Sequence, residues 1–325
     1  MRLVRAEVSR WLARRAMWGT MAAGLVVVAL LSAVMVLAAR PPSGAEVENG
    51  RRVYREVHAE WLASSQTQYE SCMATSPGGD KDCAFALIEP KESDFVPQPL
   101  SYAEGLKSGA EAGAVLGALL ALVMGASFWG AEYRNGSLAT WLTFVSGRNR
   151  VWASKFAVLA LAGVLVTALC QAVPMVAVSA GVAVLQGVGA QPGPLADALA
   201  LAGRGLGLGA LFAIFGGALA VLFRQTLAPV LVPIGYFLAQ MFVGLLAMIP
   251  GFNQLGRWLP ENNIRAYLEN GVVYFEQVFR VTPDGLQVDA VERTLPFVDG
   301  LVYLLVLVGL VAVGSLVAFR RRDVE

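Results

Sequence analysis

The chain has 325 residues, of which 56% are apolar, with a mean hydropathy of +0.59 and a formal net charge of +1. These values lie outside the usual range of soluble globular proteins and exclude that class. A helix of roughly 20 apolar residues crosses a hydrocarbon core of about 30 Å, and such long runs indicate helices rather than a barrel. The sequence therefore predicts an all-α polytopic membrane protein with six spans, at 17–39, 109–131, 154–188, 196–223, 226–250 and 299–320.

The first 16 residues form a basic, amphipathic stretch before the first apolar run. On a helix over 1–16, apolar side chains share one face and five Arg the other, which is typical of a helix lying in the membrane interface. A basic topology signal with no further role fits the same pattern. The apolar run that follows is longer than the core of a signal peptide, which has about 7–15 residues, so we expect it to be retained as a span.

Basic residues are concentrated in four short segments of the chain. These segments hold 13 Lys or Arg and 4 Asp or Glu, whereas the segments on the other side of the predicted spans hold 11 and 18. Short basic segments stay in the cytoplasm, while long loops cross the membrane largely regardless of charge. We therefore expect both chain ends to be cytoplasmic, including the tail 321–325. The basic segments are 1–16, 131–155, 223–226 and 320–325.

The first external segment, 40–108, combines a helical pattern with two cysteines. Apolar residues up to Trp61 recur at four-residue spacing, which indicates a helix. Cys72 and Cys83 flank a turn that contains Pro and Gly. An oxidising compartment favours a disulfide between them, the alternative being two free thiols.

The second external segment, 251–298, contains a helical pattern followed by a turn signal. Ile264, Tyr267 and Leu268 have helical spacing, and the Thr-Pro-Asp-Gly sequence at 282–285 predicts a turn joining two short strands. The two external segments are large enough to form a small shared cap.

Residues 132–153, between the second and third spans, contain a short amphipathic helix. Apolar residues at 138, 141, 142 and 145 follow the i, i+3, i+4, i+7 rule. Gly136 and Ser137 supply a start signal and Gly147 a stop signal. By this pattern alone, a helix over 137–146 either docks against protein or lies on the lipid surface.

Motifs for catalysis, nucleotide binding and metal binding are absent from the sequence. It contains no G-x-x-x-x-G-K-[ST] phosphate loop, and its one histidine, His58, has no clustered ligands. We therefore expect no metal site and no enzymatic activity on this chain.

Two charges near the membrane are candidates for a pathway or an ion pair. Arg204 lies about two turns into the fourth span, and Glu111 begins the second. An Arg at mid-bilayer costs roughly 2.5–3.5 kcal/mol, so Arg204 should face protein, water or the interface. It pairs with Glu111 or Asp197, lines a substrate path, or extends to the membrane surface.

The stretch from Gly130 to Lys155 resembles one known family. It reads Gly-Ala-Glu-Tyr-Arg-Asn-Gly-Ser-Leu from Gly130 and continues through Arg-Asn-Arg at 148–150 to Lys155. This is similar to the G-x-E-x-x-x-G-[ST] segment in the permease subunit of ABC transporters of the type-2 exporter class. The Arg-rich start and the Phe-Arg-Arg-Arg-Asp ending at 319–323 also fit. The paired cysteines resemble a subclass with an enlarged first external loop.

The resemblance implies a division of labour between chains. A separate ABC ATPase, present in two copies, binds ATP and Mg, so this chain holds no cofactor. A second permease chain, identical or homologous, completes the pathway. Helix 137–146 is then the coupling helix that docks into the ATPase. The residues expected to couple to the ATPase are Glu132, Tyr133, Arg134, Gly136, Ser137, Leu138, Trp141, Leu142, Val145 and Arg148.

The expected function is ATP-driven export of a hydrophobic or amphipathic compound, with the lipid membrane as a partner and no nucleic acid. The scarcity of Lys, four against 21 Arg, is typical of a GC-rich bacterial genome, so the expected location is a bacterial cytoplasmic membrane. The alternative is a membrane-anchored structural or sensory protein whose external cap binds a ligand or partner. An ion-coupled transporter is disfavoured because ionisable residues in the predicted spans are few.

Overall fold

The computed structural model describes residues 2–75, 83–98, 101–144, 147–186, 195–246, 255–282 and 285–321. Within these ranges the chain is predominantly helical and contains one two-stranded sheet. The helices are α1 (Arg2–Ala13), α2 (Arg15–Ala38), α3 (Gly44–Thr75), α4 (Tyr102–Arg134), α5 (Ser137–Phe144), α6 (Arg148–Gln186), α7 (Leu195–Phe223), α8 (Leu227–Leu246), α9 (Pro260–Glu269) and α10 (Phe297–Arg321). The strands are β1 (Val272–Thr282) and β2 (Gly285–Leu295).

Five helices in the described ranges are long and apolar enough to cross a membrane, namely α2, α4, α6, α7 and α10. The protein is therefore a helical protein of the multi-pass membrane type. Helix α8 has 20 residues, and within the part whose side chains are described it has an apolar stretch over Leu227–Gln240. The predicted span at 226–250 also includes residues 247–250, which lie outside the described ranges.

Two of the long helices begin earlier than the apolar pattern predicts. Helix α4 begins at Tyr102 rather than at 109 because Ser101 and Glu104 form a capping box. The Ser101 hydroxyl accepts a hydrogen bond from the backbone N–H of Glu104 at 3.2 Å, and the Glu104 carboxylate accepts one from the backbone N–H of Ser101 at 3.3 Å. Helix α6 begins at Arg148 rather than at 154 and continues through Pro174. The predicted spans therefore cover the apolar part of each helix, and each helix begins with polar turns that precede this part.

Helices α4, α6 and α7 form the core of the bundle and approach one another closely. A Cβ atom added to Gly113 of α4 would lie 2.5 Å from the carbonyl oxygen of Cys170 and 2.6 Å from Cα of Gln171, both on α6. Such contacts between backbones are possible because small residues line the shared face. On α4 these buried small residues recur every four positions, at Gly105, Gly109, Gly113, Gly117, Ala121 and Gly125.

Basic segments predicted to share one side of the membrane lie at one end of the bundle, called here the basic end. Arg148, at the start of α6, donates hydrogen bonds to the carbonyl oxygens of Phe319 (3.4 Å) and Arg320 (3.0 Å), in the last turn of α10. These contacts satisfy carbonyl groups that a helix C-terminus leaves without partners. Gly130, near the end of α4, lies against Thr226, in the short connection between α7 and α8.

The opposite end carries α9 and the β-hairpin. Tyr236 and Gln240 of α8 donate hydrogen bonds to the carboxylate of Glu261 in the first turn of α9. Helix α8 therefore runs from the basic end towards this one. In the hairpin Thr282 pairs with Gly285, which is where the turn signal lies in the sequence, but each strand has 11 residues and is longer than predicted.

Helix α3 and the segment 83–98 form an arm. The indole Nε1 of Trp61 donates a hydrogen bond to the carbonyl oxygen of Ala86 at 3.0 Å. A disulfide joins Cys72 to Cys83, with the two Cα atoms 5.7 Å apart. In the described part of the chain α3 packs mainly on this returning segment, and not extensively on α9 or the hairpin. Within the described residues, the two segments predicted to be external are therefore an arm and a hairpin layer with few contacts between them, rather than one shared cap.

The close approach of α4 and α6 generates a stability prediction. We expect Gly113→Val to destabilise the protein by about 1–3 kcal/mol, because the new side chain would overlap the backbone of α6. Thermal unfolding of the purified protein in detergent measures the effect. Gly309→Val is the matched control, since nothing lies within 4 Å of a Cβ atom at that position. Equal midpoints for the two variants would contradict the packing described here.

Candidate functional site

A buried ion cluster joins α1, α4 and α6 at the basic end. The Nζ atom of Lys155 lies 2.8 Å from Oε2 of Glu7 and 2.7 and 2.8 Å from the two carboxylate oxygens of Glu132. These three side chains are 0%, 0% and 2% exposed, respectively. Arg14, between α1 and α2, lies 2.8 Å from Oε1 of Glu132. The two carboxylates thus share Lys155, and each also has an arginine: Arg14 at Glu132, and Arg10 at 3.8 Å from Glu7.

Aromatic rings of α4 form one wall of this cluster. The ammonium of Lys155 lies 4.6 Å from the ring centroid of Phe128 and 5.4 Å from that of Trp129. The guanidinium of Arg14 lies 4.8 Å from the Phe128 ring and donates a hydrogen bond to the Phe128 carbonyl oxygen at 2.8 Å. A cation held over an aromatic face gains electrostatic attraction, which partly offsets its loss of water.

Burial makes the cluster sensitive to the loss of a single member. Two buried carboxylates are tolerated because the ammonium of Lys155 contacts both of them. Breaking a buried pair typically costs about 3–5 kcal/mol, since one charge then remains buried without compensation. The cluster therefore specifies how α1 and α6 sit against the end of α4.

Helix α5 follows this cluster directly. Gly136 has a φ of +62° and ends α4 in a left-handed conformation, in which its backbone N–H donates to the carbonyl oxygen of Tyr133 at 3.3 Å. Tyr133 stacks on Trp129 with ring centroids 6.4 Å apart. Arg134, Gly136 and Ser137 are exposed, so the approach to α5 is accessible at the surface of the chain.

Two of the predicted coupling residues point into the chain itself. The side chain of Leu138 is fully buried in the same apolar core as Trp129, so it anchors α5 internally rather than in a groove of another subunit. Glu132 is buried in the ion cluster and does not present its carboxylate at the surface. Leu138 follows the amphipathic pattern, but that pattern does not say which surface the apolar face meets.

Other predicted residues are only partly described. Helix α5 ends at Phe144 in the described ranges, and Val145 lies outside them. Trp141 and Leu142 belong to α5, although their side chains lie outside the description. Arg148 is the first residue of α6 and contacts the last turn of α10.

Sequence reasoning missed the central members of the cluster. The sequence pattern uses Arg14 and Lys155 as markers of membrane orientation and Lys155 also as the end of the stretch that resembles a known family, and it does not single out Glu7. One signal was present, because Glu7 is the only acidic residue among five Arg in the first 16 residues. Its partner could not be read from the sequence, since 148 positions separate Glu7 from Lys155.

Arg204, the candidate for a pathway or an ion pair, has a different partner from those expected. Its Nε donates a hydrogen bond to the carbonyl oxygen of Leu268, in the last turn of α9, at 2.6 Å. Among the described ion pairs none joins Arg204 to Glu111 or Asp197. Burial raises the pKa of the neighbouring Tyr267 hydroxyl, while the Arg204 guanidinium acts in the opposite direction. Arg204 thus fastens α9 to α7 as a helix cap.

Comparison with known proteins adds no assignment, because no family model matches the chain and no curated protein matches it in sequence.

The ion cluster generates a second stability prediction. We expect Lys155→Met to destabilise the protein by about 3–5 kcal/mol, because Glu7 and Glu132 would lose the cation that they share. Chemical unfolding in detergent micelles measures the loss. The matched control is Arg40→Met in the exposed pair with Glu46, for which we expect little loss because water screens this pair. If both variants lose the same small amount, the cluster does not hold this end together.

Proposed function

We propose that the protein is the permease subunit of an ATP-driven exporter of the ABC type-2 class. The observation that carries this proposal is the short helix α5, whose approach is exposed and whose two ends connect to α4 and α6. Those two helices are tied together by Lys155 and Glu132, so a displacement of α5 acts on both of them. A helix fastened in this way suits the transmission of force from a separate subunit.

The proposed division of labour follows from this arrangement. A separate ATPase, in two copies, binds ATP and Mg and docks at α5, and a second permease chain completes the pathway. Arg134 and Ser137 would be contacted by the ATPase, whereas Glu132 and Leu138 would hold α5 to its own chain. The proposed cargo is hydrophobic or amphipathic, and the proposed location is a bacterial cytoplasmic membrane.

The proposed topology has six spans with both chain ends in the cytoplasm. Two observations support it. Short basic segments are expected to stay in the cytoplasm. In this structure the basic segments lie together at one end of the bundle. The disulfide Cys72–Cys83, which belongs in an oxidising compartment, lies on the arm that follows α2. Helix α8 is the span proposed in addition to the five long apolar helices. It begins beside Gly130 at the basic end and contacts Glu261 at the opposite end.

Cysteine accessibility tests this topology. In intact cells a membrane-impermeant maleimide should label Ala59→Cys on the arm and Thr294→Cys on β2. It should label Ser137→Cys and Gln225→Cys only after the membrane is permeabilised. All four positions carry exposed or half-exposed side chains, and the native Cys170 is buried. If Gln225→Cys and Thr294→Cys are labelled from the same side, α8 does not cross and the six-span topology is wrong.

Charge reversal near α5 tests the coupling role. Protein purified from native membranes after mild cross-linking should carry Mg-dependent ATP hydrolysis. Arg134→Glu should reduce the recovered ATPase about tenfold or more, because it places repulsion at the proposed contact. Arg5→Glu, on the exposed face of α1, is the control and should retain the wild-type amount. Recovery of the intact protein with no ATP-hydrolysing companion would refute the proposal and favour a structural or sensory protein.

A further inference from the structure

Two adjoining cavities lie beside the first half of α10, at the end opposite the ion cluster. One is an apolar groove of about 410 Å³ that follows α10. The other is a polar cavity of about 580 Å³ between the hairpin and the 3-10 turn Leu255–Trp258. Arg257, Trp258 and Asp299 line both, so the two form one continuous space. The apolar part is lined along α10 by Val302, Val306 and Leu310, which are spaced four residues apart.

Acidic groups outnumber basic groups in the polar cavity. Arg257 pairs with Asp299 at 2.9 Å, and Arg293 pairs with Glu276 at 3.1 Å. These two pairs leave the carboxylate of Glu292, in the same cavity wall, without an ion pair in the described part of the chain. The cavity therefore has an excess of negative charge.

Glu276 also has an unsatisfied oxygen. The residue is only 8% exposed, and its Oε1 atom is buried with no hydrogen-bond donor among the described residues. Buried carboxylate oxygens nearly always accept a hydrogen bond, because burial without one sacrifices their contact with water. Glu276 lines the cavity, so a cation placed there would lie beside this incompletely satisfied carboxylate.

The walls of the polar cavity are held in place by packing and hydrogen bonds. A Cβ atom at Gly256 would lie 2.8 Å from the ring of Tyr274, so this turn rests directly against β1. The buried side chain of Asn263 donates hydrogen bonds to the carbonyl oxygens of Arg257 and Leu259, each at 2.9 Å. The positions of Arg257 and Trp258 relative to the hairpin are thus preorganised.

We propose that this continuous space binds a drug-sized amine with one hydrocarbon tail. Its ammonium lies beside the carboxylates of Glu276 and Glu292, which neutralise it, and its tail lies in the groove along α10. Trp258, which is 66% exposed where the cavities meet, offers an aromatic face to the cation. The cavity volumes fall in the range of pockets that enclose drug-sized ligands. As a substrate site this assignment rests on the proposed transport function, but the binding itself does not.

Photo-labelling of the purified chain in nanodiscs, without any ATPase, tests the site. The probes are a decylamine that carries a diazirine in its tail, and the decanol and decanoate with the same tail. We expect saturable labelling of the α10 peptide around Val306 by the amine. The alcohol and the carboxylate should bind about tenfold more weakly or worse, since neither supplies a cation to Glu276.

Three variants separate the site from effects on folding. Glu276→Gln should weaken amine binding about tenfold, but it also breaks the pair with Arg293. Glu292→Gln changes an exposed side chain that has no ion pair with the described residues, and it should weaken binding in a protein of unchanged unfolding temperature. Val306→Trp fills the groove and should abolish labelling by the tail. Glu48→Gln, in an exposed ion pair on α3, is the control and should bind normally.

Several outcomes would overturn the assignment. These are equal labelling by all three probes, preference for decanoate, no saturable labelling, or unchanged affinity in Glu292→Gln and Val306→Trp. Displacement of the amine by phosphatidylethanolamine at bilayer abundance would mean that the site holds membrane lipid instead. The result is independent of the transport proposal. If no ATPase accompanies the protein, the transport proposal is wrong and the amine site is unaffected. If the protein does not bind amines, the amine site is wrong and the transport proposal is unaffected.

Discussion

The architecture of the basic end depends on one buried ammonium group. Lys155 compensates two carboxylates that come from α1 and from the end of α4. In a low-dielectric setting neither carboxylate is tolerable alone, so the helices that carry them can sit in few relative positions. The arrangement of α1, α4 and α6 follows from this constraint.

Helix α4 carries two different kinds of contact along its length. Its middle is a stripe of small residues that brings its backbone against α6 and α7, and its end carries Glu132 in the ion cluster. Close backbone packing resists bending, and the charged contact fixes rotation about the helix axis. A force applied at α5 would therefore displace α4, α6 and α7 together rather than unwind the end of one helix.

The sequence predicted long helices well because hydropathy and length are local properties. It identified α2, α4, α6, α7 and α10 as apolar enough to cross a membrane, and it placed the hairpin turn correctly. Hydropathy does not locate the start of α4, where Ser101 supplies a polar cap outside the apolar run. Sequence reasoning also missed the contacts of Glu132 with Arg14 and of Arg204 with Leu268, since these join residues 118 and 64 positions apart in the chain. An amphipathic pattern gave the apolar face of α5 but not the surface that Leu138 meets.

The ion cluster also sets an order of events during synthesis. Glu7 leaves the ribosome 148 residues before Lys155, the cation that will lie 2.8 Å from it. Until α6 has been made and inserted, Glu7 has to remain hydrated or rely on the neighbouring Arg10. The N-terminal helix can therefore reach its final depth only after the third long apolar helix is in place. Assembly of the basic end is therefore completed late, when α1 packs against helices that are synthesised well after it.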